Sequence, residues 1–374
     1  MADNPVRLVL KNVPQVKFYD GGPRCPEDIP FPAVMRALME YLGEEKYACR
    51  FCGSTKTDCR IKCSYAFFIG VSGVASFLNW KPGWEMDNVE IMYMSNDPAA
   101  PFQHAFDAIG YTYGIHGEQD FELYRQKISE SIQKGIPVLA FGPVGPPESS
   151  IITGFDESGD VLIGWSFFQN FPPFASGLEY EPGGEYRKRD WMNYEPGLSF
   201  LTIGEKGTPP SLKETFRRAL EWMIQVARTP VTFGDRANGL AAYDAWAAQL
   251  LLDQDFTADE SVLVQRHEVH NNVVGFLAEA RWYGSLFLIS LIEFGDTEIH
   301  RDAIEDILHA AAFYAGEHQL MWNLWDLAGG NGNPEGWKKF AIPEVRRRMI
   351  PIIQAARQKE EQAIKHLEQA LQKM

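Results

Sequence analysis

The feature that most constrains this chain is a break in texture at Gly204 to Ser211, GEKGTPPS, where two prolines and two glycines interrupt every pattern that precedes and follows them. Before the break the sequence is rich in Gly, Pro and short β-type runs. After it, Ala, Leu and Glu recur at helical spacing. A chain of 374 residues is also longer than one hydrophobic core usually grows. Two domains are therefore expected, 1–207 and 208–374. Ser211 is placed to cap a helix beginning near Leu212, with Glu214 three residues beyond it as in a capping box.

Within the first domain, Pro32 to Leu42 reads as a helix, Tyr65 to Trp80 as one helix or as two short ones interrupted by Gly70 and Gly73, and Phe121 to Lys134 as an amphipathic helix stopped by Gly135 and Pro137. Short apolar or alternating runs follow at Val138 to Phe141, Ser150 to Phe155, Val161 to Phe167 and Leu198 to Ile203, with FDESGD as a hairpin loop. Helices first and an antiparallel sheet after them define an α+β domain. The second domain carries helical patterns near 212–228, 237–252, 259–294, 299–326 and 342–373, the third interrupted around Gly275. They assemble naturally as an all-α helical bundle.

Charge narrows the partners. Fifty acidic against 35 basic residues leave a net charge of -15, which repels phosphate backbones and anionic membrane surfaces, so neither nucleic acid nor membrane is expected as a partner. The N-terminus, MADNPVRLVLKNV, lacks the basic region and long apolar stretch of a signal peptide, and the longest apolar helical run, Trp282 to Ile292, is shorter than a membrane span. A cytoplasmic location is expected.

All five cysteines lie between Cys25 and Cys63, and an odd number rules out a complete set of intramolecular disulfides. In a reducing compartment, Cys49, Cys52, Cys59 and Cys63, spaced C-x2-C-x6-C-x3-C, are either free thiols or four thiolate ligands of a structural zinc, with Cys25 as a substitute. The helical domain offers His267, Glu268 and His270 in RHEVHNN, and His309 and His318 further on. HEVH is not the H-E-x-x-H metal motif, and these read as solvated or core histidines. DLAGGNGNPEGW has no Walker Lys and reads as an interhelical loop.

The succession of a short helix, an amphipathic helix, GIPVLAFG and SSIITGFDESGDVLIGW resembles the papain-like cysteine peptidase superfamily, specifically its bacteriocin-leader-peptidase-like branch and the N-terminal domain of the butirosin-biosynthesis acyltransferase. The similarity covers roughly Cys63 to Trp165. It implies a papain-like α+β domain in which a nucleophile at a helix start meets a His at the start of a strand, oriented by a third residue. At those positions the chain departs from the family. The nucleophile position resembles either Ser72, in Ser72-Gly73-Val74-Ala75, or Cys63, in CSYAFF, and the two registers exclude each other; Cys63 also cannot serve both as nucleophile and as zinc ligand. The His position falls on Glu148, an anion at neutral pH unless burial raises its pKa, and the orienting position falls near Trp165, which cannot act as a carboxylate or amide.

A degenerate, pseudoenzyme-like site is therefore expected to bind a small molecule or peptide in a pocket between nucleophile helix and sheet, walled by Ser72, Trp84, Glu148, Ser149 and Trp165. The alternative is an acyl-transfer enzyme, an amide hydrolase or acyltransferase, with Ser72 or Cys63 as nucleophile and Glu148 as base. A third class is a scaffold whose helical half mediates homo-oligomerisation. The aromatic segment FFQNFPPFASGLEYEPGGEY, too long and irregular for a hairpin, is expected either to cap such a pocket or to pack as an apolar flap.

Overall fold

The computed structural model describes residues 6–20, 26–44, 63–117, 120–194, 197–257, 259–294, 299, 301–330, 333 and 335–374, with the backbone alone at 63, 293 and 294. In chain order the helices are α1 (Pro30–Tyr41), α2 (Cys63–Val71), α3 (Ala100–Ile109), α4 (Phe121–Gln133), α5 (Pro172–Ala175), α6 (Leu212–Arg228), α7 (Leu240–Leu250), α8 (Glu260–Phe294), α9 (Arg301–Ala328), α10 (Gly336–Phe340) and α11 (Pro343–Lys373). The strands are β1 (Leu8–Val9), β2 (Asn79–Trp80), β3 (Tyr111–His116), β4 (Val138–Phe141), β5 (Ser149–Asp156), β6 (Val161–Trp165), β7 (Glu179–Tyr180), β8 (Tyr186–Arg189), β9 (Ser199–Lys206), β10 (Val231–Thr232) and β11 (Arg236–Asn238). The protein is thus α+β, with a large antiparallel sheet and a C-terminal helical region. Among the described residues no helix is long and apolar enough to cross a membrane.

The chain divides into two compact units, residues 1–68 with 109–209 and residues 69–108 with 210–374. The third and last crossing falls at Pro209 and Pro210, within the breaker-rich segment, while residues 69–108 fall with the helices.

The first unit is built on an eight-stranded sheet in the order β3-β9-β4-β5-β6-β8-β7, with β1 added against β5. Period-two alternation sets its faces: Val138 and Ala140 of β4 join Ile152 of β5 in a core closed by Tyr124, Ile128 and Ile132 of α4, while Leu139 and Ile151 point the other way and are equally buried. Asp120 caps α4 by accepting from the Leu123 amide at 3.1 Å, and Gly135, at φ +78°, ends it. Gly164 has a structural reason to lack a side chain, since a Cβ there would sit 2.1 Å from the Ile151 carbonyl.

In the second unit α9 lies against both α8 and α11, and α7 packs on α11. A three-stranded sheet, β10-β11-β2, borders a core of Trp80, Trp84, Trp246, Leu277, Met321 and Ile353.

Three expectations need correction. The aromatic segment does contain a hairpin: β7 pairs with β8 and extends the sheet edge, because EPGGE supplies a turn with Gly184 at φ +96°. Helix α8 runs unbroken through Gly275. The 65–80 region is α2 followed by a tight turn at Val74–Ser76 and an extended stretch, because Gly73 leaves the helix at φ +85°.

Candidate functional site

In the first unit, the sheet end formed by β5 and β6 gathers three of the sequence-derived site residues. Glu148, half-buried, closes the β4–β5 connection, its carbonyl accepting from the Gly142 amide at 3.4 Å. Ser149 is buried as the first residue of β5, opposite Phe141. Its neighbour Ser150 fastens the connection by donating to the Gly142 carbonyl at 2.6 Å. Trp165 ends β6 opposite Ile151, is 6% exposed, and has a buried indole N–H without an acceptor among the described residues.

The surroundings of that indole are fixed by backbone bonds. Ser166 donates its hydroxyl to the Val144 carbonyl at 2.8 Å, tying the segment after β6 to the β4–β5 connection. Gln169 accepts from the Ser166 amide at 3.0 Å and donates to the Gly184 carbonyl at 2.9 Å, tying it to the β7–β8 turn. Gly184 faces the Trp165 ring, so close that a Cβ would lie 3.4 Å from it. Tyr186 is buried in β8, and burial raises its phenol pKa, so the hydroxyl stays protonated beside Ser150. The result is a sheet end in which two buried donors, the Trp165 indole N–H and the Tyr186 hydroxyl, have no acceptor among the described residues.

The two nucleophile registers are placed differently. Cys63 is the first described residue of α2 and belongs to the same compact unit as Glu148. Ser72 follows the end of α2 in the second unit and is 0% exposed. Its carbonyl accepts from the Trp222 indole at 2.9 Å. Trp84 also belongs to the second unit, as a core residue: its ring meets Trp80, Phe256 and Phe340 edge-on, and its N–H donates to Asp255 at 2.9 Å.

Cys25, Cys49, Cys52 and Cys59 lie outside the described residues, and with them the zinc site read from their spacing. Among the described residues no three His, Cys, Asp or Glu side chains are grouped to hold a metal. His267 and His270 are core residues of α8. His267 bonds the Ala328 carbonyl at 2.9 Å, and His270 accepts from the Trp246 indole at 3.3 Å, its pKa pushed down to about 3 by burial.

A third constellation was not read from the sequence. In the core of the second unit, Arg281 of α8 lies between Glu317 of α9 and Glu360 of α11, all three 0% exposed. Its Nε donates to Glu360 at 2.7 Å and lies 3.4 Å from Glu317. Its Nη1 donates to the Ala75 carbonyl at 2.8 Å, and its Nη2 to the Tyr243 hydroxyl at 3.0 Å. Tyr243 in turn donates to Glu317, while the Tyr314 and Ser76 hydroxyls meet at 2.6 Å. Burial raises the pKa of both carboxyls, Arg281 opposing it. One cation between two acids is balanced when the pair retains one proton. The network holds the 73–77 turn after Ser72. A signal for it existed: Glu360 falls in the buried stripe Ile353, Ala356, Ala363, Leu367, and Glu317 in the stripe Ala310, Tyr314, Met321, Leu324.

No protein-family model matches this chain, and no curated protein matches it either.

Proposed function

We propose that the chain is a cytoplasmic binding protein on a papain-like scaffold, taking a small molecule or peptide at the sheet end around Trp165 without cleaving it. The observation that carries this is the Trp165 indole: at the position where the resembled family orients its imidazole, a buried donor has no acceptor. Leaving such a group unsatisfied costs about 1–3 kcal/mol, which a ligand acceptor would recover. Glu148 at the base position supports the same assignment, because a carboxylate beside an indole cannot reproduce the imidazole and its orienting partner.

The test is a thermal-shift screen of short peptides and small metabolites, followed by titration of any hit against Trp165→Phe and Glu148→Gln. Trp165→Phe keeps the ring and deletes the N–H. It is expected to leave unliganded stability within about 1 kcal/mol and to weaken the hit roughly tenfold. Equal affinity in wild type and Trp165→Phe would refute the assignment.

The acyl-transfer alternative is kept in one form, with Cys63 as nucleophile and Glu148 as base. What favours it is that Cys63 belongs to the same compact unit as Glu148. A fully buried Ser72 is the weaker nucleophile of the two.

A further inference from the structure

The second unit carries a small cleft between α3 and α6, outside the candidate catalytic residues read from the sequence. On α3, His104 and Asp107 are three residues apart and share a face; on α6, Thr215, Arg218 and Ala219 do the same. These two faces enclose about 120 Å³, with Val71 contributing to the apolar part of the lining. At about 30 Å³ per water molecule, that is room for a ligand of only a few heavy atoms.

Its polar groups are unspent. Asp107 makes no hydrogen bond or ion pair among the described residues. Arg218 commits its Nε to Glu214 at 2.6 Å and leaves both Nη groups without a partner among the described residues. The ring nitrogens of His104 are likewise unbonded among the described residues, while the ring itself is fixed by stacking on Trp222, centroids 4.4 Å apart and planes within 17°. Burial holds the His104 pKa below its ordinary value, so that near pH 7 the ring is a neutral donor and acceptor. The cleft thus presents one anion, one cation and a neutral imidazole around an apolar floor.

We propose that this cleft binds a small zwitterion, an α-amino acid with little or no side chain, its ammonium group on Asp107 and its carboxylate on Arg218. A single charge would satisfy only one wall. The volume excludes large side chains, and His104 and Thr215 supply hydrogen bonds to whichever carboxylate oxygen Arg218 leaves open.

The experiment is ligand-observed saturation-transfer NMR and calorimetric titration on the full chain, with glycine, alanine, phenylalanine, acetate and methylammonium as probes. Glycine and alanine are expected to bind, phenylalanine to fail, and acetate and methylammonium each to bind more weakly than alanine. Asp107→Asn and Arg218→Gln should each weaken alanine about five-fold, the scale of a solvent-exposed ion pair, with Arg218→Lys restoring part of the loss. Both positions are exposed, so melting temperatures should stay at the wild-type value and separate lost binding from lost folding. No response to glycine or alanine would overturn the proposal. So would acetate binding as well as alanine, which would mark a plain anion site, or alanine binding that ignores both charge variants.

Discussion

Replacing Glu317 and Glu360 together by glutamine is expected to destabilise the second unit by about 3–5 kcal/mol, because Arg281 would be left buried with no counter-charge. Replacing Glu360 alone should cost about 1 kcal/mol or less. The pair already holds one neutral member, and a glutamine amide has nearly the shape and hydrogen bonds of a protonated carboxyl. The contrast separates a shared proton from two independent ion pairs, which would make each single replacement costly. Urea unfolding monitored by helical circular dichroism supplies both numbers.

The same proton sets a pH dependence. Burial raises the Glu360 carboxyl well above its ordinary value, with Glu317 adding to the effect and Arg281 opposing it. A group whose pKa is raised by folding contributes stability that is fully present below its unfolded pKa, about 4.3, and is lost as pH climbs toward the folded value. As pH rises above the unfolded value, wild type should therefore lose stability relative to Glu360→Gln, whose amide does not titrate. Parallel pH profiles for the two proteins would contradict a shared proton.

The second large effect is expected at Gly73. Its φ of +85° lies where side chains are strained, and a Cβ would stand 2.4 Å from the Trp222 indole nitrogen, which donates to the Ser72 carbonyl. Gly73→Ala must displace Trp222 or the turn, and overpacking combined with left-handed strain should cost about 2–4 kcal/mol. Trp222→Phe removes the donor and part of the clash, so the double variant should recover a measurable share of that loss. A Gly73→Ala protein as stable as wild type would mean that the turn is not held as described. Thermal and urea unfolding of the three variants decide the matter.

Much of the fold was legible because local signals agreed with the tertiary outcome. Ser211 caps α6 by accepting from the Glu214 amide at 3.2 Å, the run at 138–141 became β4 with the expected bounds, and the run expected at 161–167 became β6 over Val161–Trp165. What stayed hidden depended on partners far along the chain. Strand β3 gave little warning because YTYGIH puts glycine and half-exposed residues at positions a buried strand would fill with apolar ones, and it is defined by pairing with β9. Helix α3 was obscured by the prolines around APFQHAFDAI. At the candidate site, Ser149 and Trp165 belong to paired strands of one sheet, and Glu148 immediately precedes the first of them. Ser72 and Trp84 were read as pocket walls from sequence proximity to α2; Trp84 lies in the core of the second unit and Ser72 is fully buried in the same unit. Arg281, Glu317 and Glu360 were passed over because charged residues in long helices ordinarily face water, and only their register within buried stripes marks them as interior.

The claim that the papain-like sheet end binds without cutting is tested most directly by intact-protein mass spectrometry after incubation of the native chain with an epoxysuccinyl thiol probe and a fluorophosphonate serine probe. The prediction is an unchanged mass with both, Ser72 being fully buried and Glu148 and Trp165 supplying no imidazole. A stoichiometric adduct that maps to Cys63, disappears in Cys63→Ala and is slowed by Glu148→Gln would contradict it and establish the acyl-transfer alternative.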